Sequence, residues 1–341
     1  MSFIKQVPFG RTGIKVSPII VGCMSYGSKK YLPWCLEDED KIFEILKYCY
    51  DHGIRTFDTA NCYSNGKSER ILGKFLRKYN IKRETVVIMT KVFFPVDENL
   101  EPFNLIDDIS DTLVGVQVAN QRGLSRKHIF DSVKASMERL GTYIDVLQIH
   151  RLDHDTPYRD IMKALNDVVE AGYTRYIGAS TMRATEFVEL QMLADKYNWF
   201  QFANLQTAYN LLYREDEREF VPFVKKHGIA MTPWSPNARG LLTRPVKETI
   251  TDRYKLDKKI FPVDEVNIEI IKRVEEVAKK HDASMAMVSL SWLLGKGCYP
   301  IVGLNSIERV REAIKATNLQ LTEEEVKYLE EPYRPRNIFF F

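Results

Sequence analysis

Short apolar runs alternate with amphipathic stretches from one end of this chain to the other, and no other feature restricts its fold as strongly. Ile19–Gly22, TFD at 56–58, VVIMTK at 86–91, DVLQIH at 145–150, YIGAS at 176–180, FANLQ at 202–206, IAMTPW at 229–234 and YPIVG at 299–303 read as buried strands. Helical spacing fills the intervals. Residues 39–52 carry Ile42, Ile45, Leu46 and Cys49 on one face, and Ser68, Ile71, Leu72, Phe75 and Leu76 mark the next helix. Further helices are predicted over 125–140, 158–171 (stopped by Gly172), 185–197, 215–227 (stopped by Gly228), 267–281, 284–294 and 307–317. Such alternation calls for right-handed crossovers and a parallel sheet, and eight repeats indicate a closed (β/α)8 TIM barrel rather than an open sheet. Gly10 and Gly13 give the preamble the turns of a hairpin.

A single domain over residues 1–341 suits this length, and long loops then gather at the C-terminal face of the barrel. Two connections, 92–124 and 235–266, exceed what a compact fold needs. The first mixes Phe93, Phe94, Phe103 and Leu105 with acids and suits a substrate-side lid. The second holds Arg244, Lys247, Arg253, Lys255, Lys258 and Lys259 and suits a strap over an anion. A net charge of +3 gives no argument for nucleic acid, and no apolar run is long enough to span a membrane. The start shows no signal-peptide core, the five cysteines have no CxxC spacing, and free thiols in a reducing cytoplasm are the expectation. The terminal Ile338-Phe339-Phe340-Phe341 is expected to pack on a groove. No His/Cys/carboxylate set has metal-site spacing.

The strand ends carry the chemistry. Asp58 follows GIRTF, Lys91 follows VVIMT, His150 follows DVLQI, and Tyr63 lies five residues beyond Asp58. One barrel rim would then hold an acid, a lysine, an imidazole and a phenol. Lys91 beside Tyr63 is expected to lower the phenol's pKa, Asp58 to keep the ammonium charged, and His150 to donate to a substrate oxygen. Such a set protonates an oxygen while something else attacks the carbon. No nucleophile accompanies it, so a cofactor is expected. Cys62 reads as packing.

These segments resemble the aldo-keto reductase superfamily: FDTA followed by Tyr63 and Ser68-Glu69, Thr90-Lys91, DVLQIH, YIGAS, LQTAYNLL at 205–212, TPWSPNARGLLT at 232–243 and IVGLNSIERV at 301–310. The likeness runs in order over nearly the whole chain, and the insertion at 92–124 with the PWSP–RGLL segment most resembles the fungal aryl-alcohol dehydrogenase branch. The resemblance implies NADPH-dependent reduction of aldehydes and ketones, with Tyr63 as general acid, tuned by Lys91 and Asp58, and His150 orienting the carbonyl. It also implies cofactor contacts. Ser180 and Gln206 would hold the nicotinamide carboxamide and Trp234 would stack on its ring. Ser235, Pro236, Gly240 and Gly303 line the cofactor path, Ser306 and Arg309 grip a 2′-phosphate, and Glu312 meets the adenine amine. Thr181 and Ala313 depart from the family's Asn at each position, which implies looser cofactor binding. Tyr26, Trp34, Phe93 and Phe94 are expected to line an aromatic substrate pocket suited to aryl aldehydes. Two other readings stay open: a Schiff-base aldolase using Lys91, and an NADPH-binding regulator with little turnover.

Overall fold

The computed structural model describes residues 3–100, 112–251, 253–254 and 261–338. Phe103, Leu105, Lys255, Lys258, Lys259 and Phe339, Phe340 and Phe341 lie outside the described residues. A hairpin of β1 (Val7–Pro8) and β2 (Lys15–Val16) precedes an alternating series. The series runs β3 (Ile20–Gly22), α1 (Glu39–Asp51), β4 (Thr56–Asp58), α2 (Lys67–Lys78), β5 (Val87–Val92), α3 (Leu113–Val118), α4 (Arg126–Leu140), β6 (Ile144–Ile149) and α5 (Tyr158–Glu170). It continues with β7 (Thr174–Ser180), α6 (Ala184–Tyr197), β8 (Phe202–Gln206), α7 (Phe220–His227), β9 (Ala230–Met231), α8 (Glu265–Lys280) and α9 (Met285–Gly295). The series ends with β10 (Ile301–Val302), α10 (Ile307–Ala316) and α11 (Glu323–Glu330).

Eight strands pair in parallel in the order β10-β3-β4-β5-β6-β7-β8-β9. The two ends of that sheet meet, because the Tyr299 and Ile301 N–H groups donate to the Met231 and Pro233 carbonyls, each at 2.9 Å. The result is the expected (β/α)8 barrel with its N-terminal hairpin. Side chains alternate across each strand, so odd residues of β5 and even residues of β6 point inward. Met89, Val146, Ile20, Ala230 and Ile301 therefore form an apolar layer, and Phe9 and Val16 of the hairpin pack onto it. Arg11 N–H donates to the Gly228 carbonyl (2.8 Å) and Tyr176 Oη to the Thr12 carbonyl (3.1 Å), which fixes the hairpin as a plug. With that end closed, the opposite rim is left to the long connections.

Helices pack outside through their apolar stripes, and one buried ion pair ties them to the strands. Glu69 of α2, fully buried, accepts from Arg139 Nε of α4 (2.7 Å) and from Thr90 Oγ1 of β5 (2.5 Å). The residue next to Lys91 is thereby pinned to a helix.

The structure departs from the sequence reading at several places. The strands expected over IAMTPW and YPIVG shorten to two residues each. Helices α3 and α11 were not expected, although Thr322 and Glu325 make the reciprocal capping box that starts α11. The helix expected over 215–227 breaks into a 3₁₀ turn at Glu215–Glu217 and α7. Here side-chain bonds outweigh helix propensity: Glu217 is drawn to the nearby Arg214 and Tyr209, and Glu215 to the distant Tyr333 and the Arg336 amide. Ile338 is 61% exposed, so the expected packing of the apolar terminus does not hold at that residue.

Between these two glutamates Asp216 turns inward and accepts only the Thr207 hydroxyl among the described residues, at 2.5 Å. Burial pushes its carboxyl up to about 7, against the Thr207 bond and with help from Glu215 and Glu217. The folded chain therefore holds a proton that the unfolded chain releases near pH 4. The resulting stabilisation is complete at low pH and is lost as pH rises through about 7. Asp216→Asn, which keeps an acceptor for Thr207, is expected to raise Tm at pH 8, with the advantage shrinking towards pH 5. Thermal melts of both chains across that range check this, and a pH-independent difference would refute it.

Candidate active site

Register brings the four strand-end residues together. Gly22 pairs with Asp58 across β3–β4, and Lys91 pairs with Gln148 across β5–β6, two residues before His150. Lys91 Nζ, with a side chain wholly buried, donates to Asp58 Oδ2 at 2.5 Å, to the Thr59 carbonyl at 2.8 Å and to Tyr63 Oη at 3.3 Å. All three ammonium hydrogens thus have acceptors. Because the ammonium donates to the phenol oxygen, the phenol's own hydrogen points elsewhere. The His150 ring stands edge-on to Tyr63, with centroids 5.7 Å apart, and edge-on to Phe94 at 5.2 Å.

Beneath this group runs a polar belt that the sequence reading missed. Asp58 Oδ1 accepts from Gln148 Nε2 (3.0 Å) and Gln206 Nε2 (2.9 Å). Gln148 Oε1 in turn accepts from Gln206 and Asn204, each at 2.9 Å, and Asn204 donates on to Thr232 Oγ1 at 3.0 Å. A signal existed: Gln148 and Asn204 are amides at inward positions of otherwise apolar strands. Gly178 of β7 makes room for the belt, since a Cβ there would lie 1.9 Å from Asn204 Oδ1. No side chain but hydrogen fits at that crossing.

The electrostatics correct one expectation. Burial raises the Tyr63 pKa well above that of a free phenol, and the Asp58 and Cys62 groups add to the rise. The nearby Lys91 ammonium does not outweigh that rise. The phenol therefore stays protonated in the chain by itself, as a proton donor must. Burial, then the Arg151 and Lys91 charges, hold His150 well below its ordinary value, so its imidazole is neutral.

The residues implied for a cofactor fall into two groups. Gln206 belongs to the belt itself, while at the neighbouring strand ends Ser180 Oγ is 3.2 Å from Thr181 Oγ1 and Trp234 Nε1 donates to that same oxygen at 3.2 Å. Gln206 spends its amide N–H groups on Asp58 and Gln148, which leaves its carbonyl oxygen to accept a bond from above. Ser235 and Gly240 take positive φ in the strap after β9, and the Pro236 carbonyl between them accepts from Ser289 Oγ at 3.0 Å. The second group sits at the start of α10. Gly303 is exposed, and Ser306 caps the helix by accepting from Arg309 N–H at 3.3 Å. Glu312 lines a groove of about 330 Å³ with Ser284, Met287 and Arg311. Arg309 is exposed at the surface, where desolvation and then the Arg244 charge of the same region hold its pKa down. Two guanidinium charges within electrostatic reach of each other suit a phosphate. Ala313, by contrast, is fully buried in the core.

Of the expected pocket aromatics, Phe93 and Phe94 stack edge-to-face 5.0 Å apart at the His150 side. Trp34 is half-buried under Arg253, its Nε1 enclosed and without a partner among the described residues. Tyr26 does not line the opening: it is 1% exposed, packs in the main core and donates to the Leu304 carbonyl. Its loop turns it under the rim instead of over it.

Thr181 carries a cost of its own. Its φ of +45° is left-handed, a region open to Asn but unfavourable for a β-branched residue by about 1 kcal/mol or more. Thr181→Asn is expected to raise Tm by roughly 2 °C, read by calorimetry. A fall in Tm would mean that the Trp234 bond outweighs the strain.

Sequence comparison agrees with this geometry. The model of the Aldo/keto reductase family matches residues 18–334. The chain is 60% identical to a Saccharomyces cerevisiae protein that bears an aryl-alcohol dehydrogenase name, over 98% of this chain and 99% of the relative. It is 53% identical to a Schizosaccharomyces pombe protein of similar name, over 96% and 95%. It is 48% identical to the versiconal hemiacetal acetate reductase of Aspergillus parasiticus, over 96% and 97%. The chain belongs to the aldo/keto reductase family and is by that membership an oxidoreductase.

Proposed function

We propose that this chain reduces aldehydes and ketones with NADPH, that Tyr63 is the proton donor, and that aryl aldehydes are the preferred substrates. The observation that carries the reading is the Lys91 ammonium donating to the Tyr63 oxygen at the barrel mouth. It leaves the phenol hydrogen free to move to a substrate oxygen, and it waits to stabilise the phenolate that remains. Asp58 keeps the ammonium oriented, and the neutral His150 ring can donate a second bond to the same oxygen. A bound nicotinamide supplies the hydride that no side chain here can provide. The open Gln206 carbonyl, Ser180 and the face of Trp234 suit its carboxamide and ring, and Arg309 with Arg244 suits a 2′-phosphate over a bare ribose. Phe93, Phe94 and Trp34 favour an aromatic substrate, and two of the relatives bear aryl-alcohol dehydrogenase names.

The Schiff-base reading loses support, because the Lys91 amine is wholly buried and committed to three acceptors. A regulator with little turnover would use the same residues, and turnover itself separates the two.

Tyr63→Phe is expected to lower kcat by about 10²–10⁴ with NADPH affinity kept, as for the loss of one general acid. Stopped-flow turnover and cofactor fluorescence measure the two quantities, and a Phe variant of full activity would remove Tyr63 from the role. Arg309→Ala is expected to raise the NADPH Kd about ten- to a hundredfold, the worth of a charge-assisted bond, and to leave the NADH Kd unchanged. Equal losses for both nucleotides would show that Arg309 does not read the phosphate.

A further inference from the structure

We propose that Cys62 is a positioning residue that fixes the tautomer of His150, donating its S–H to Nδ1 so that Nε2 carries the hydrogen offered to a substrate oxygen. The proposal deepens the carbonyl-reductase reading and rests on it for its purpose, though not for its geometry.

The Cys62 sulfur lies 3.8 Å from His150 Nδ1, within reach of a sulfur hydrogen bond. No other bond from a described group reaches either ring nitrogen of His150. A neutral imidazole has one N–H and one acceptor nitrogen, and the partner of the first nitrogen decides which is which. The usual partners of a buried imidazole, a backbone carbonyl or a carboxylate, accept, and they would force the hydrogen onto Nδ1. Nε2 would then be an acceptor, useless for holding a carbonyl oxygen. A thiol reverses the arrangement. Imidazole nitrogen is a far better acceptor than thiol sulfur, so S–H···Nδ1 is favoured over Nδ1–H···S. Burial pushes the Cys62 thiol up to about 12, so its hydrogen is present at every working pH, and burial, with the Arg151 and Lys91 charges, keeps the ring neutral.

The surroundings hold the pair in register. Tyr63 and Phe94 stand edge-on to the ring, at interplanar angles of 81° and 83°, and oppose its rotation. The loop bearing Cys62 is stapled to β5 and beyond: Asn61 N–H donates to the Lys91 carbonyl (3.2 Å), and its amide donates to the Phe94 carbonyl (3.0 Å) and Ser132 Oγ (3.1 Å). One short loop therefore carries both the phenol and the group that orients the histidine facing it. The reading of Cys62 as packing alone describes its carbon and leaves out its hydrogen.

The test uses the full chain labelled with ¹⁵N-histidine, with His150 assigned by comparison with His150→Gln. Two-dimensional ¹⁵N–¹H spectra of the free protein are expected to show the Nε2–H tautomer. In Cys62→Val, which keeps the apolar volume and removes the donor, the Nδ1–H form should appear. In Cys62→Ser, which keeps a donor, the wild-type pattern should return. With a carbonyl substrate and NADPH, Cys62→Val should lose about tenfold in kcat, the scale of one weak hydrogen bond, with NADPH Kd unchanged and Cys62→Ser largely rescued. A wild-type Nδ1–H tautomer, or a tautomer indifferent to the valine, overturns the proposal. If Cys62→Val fails to fold, Cys62→Ala poses the same question. A tautomer that responds as described in a chain with no carbonyl turnover supports the positioning role and removes the reductase reading instead.

Discussion

The buried contact between Lys91 and Asp58 is the interaction around which the rest of the barrel mouth is arranged. Two charges out of water cost several kcal/mol each unless every hydrogen and lone pair is met. Here the ammonium spends its three hydrogens on Asp58, Thr59 and Tyr63, and the carboxylate takes two amide donors besides the ammonium. Their completeness explains why a charged pair persists at such depth. It also explains why the phenol is the pair's one adjustable partner: at 3.3 Å it holds the longest of the three bonds from Lys91. The phenolate that follows proton transfer would shorten that bond and gain charge assistance where the ground state has little.

The layers below follow from the same requirement. A carboxylate that needs donors from β6 and β8 must sit where those strands point inward, and the two-residue period of the sheet then assigns the layers. The hairpin plug and apolar layer lie at one end, the amide belt in the middle, and the phenol and imidazole at the other. Asn204 and Gln148 transmit the position of Asp58 across the barrel to Thr232. Gly178 is the geometric allowance that lets this chain of amides pass β7. Chemistry at the rim thus depends on a residue with no side chain, two positions below Ser180.

Much of this was legible in the sequence because it is periodic. Strand-helix alternation, apolar stripes and the placement of Asp58, Lys91 and His150 at run ends all follow from local pattern, and the structure joins these with Tyr63 as expected. What escaped was non-local. That Glu215 would leave a helix for Tyr333 and the Arg336 amide depends on partners far along the chain. Tyr26 looked like a mouth aromatic by its loop, but the direction of a loop side chain is set by what it can bond, here the Leu304 carbonyl. The burial that raises the Tyr63 pKa is likewise a matter of what packs around the phenol, not of spacing along the chain.

Backbone strain marks the rim independently of any side-chain motif. Among the described residues, nine that are not glycine have positive φ. Asn80, Asn198 and Asp282 follow helices, and their side chains tolerate that conformation at little cost. Of the other six, Ser64 and Asn65 follow Tyr63, Thr181 follows β7, and Ser235, Ala238 and Arg239 lie in the strap after β9. Five of these six are residues for which left-handed backbone is unfavourable, and all six lie in connections at the C-terminal ends of strands. A fold that distributed strain at random would not collect it on one face. Conformations that cost about 1–3 kcal/mol each persist only where the surroundings over-determine them. Here the bonds from Trp234 to Thr181 and from Asn210 to the Ser235 carbonyl do so. Thr181 and Ser235 are thereby held in place at the rim, and preorganised donors and ring faces are what a proton-transfer site requires.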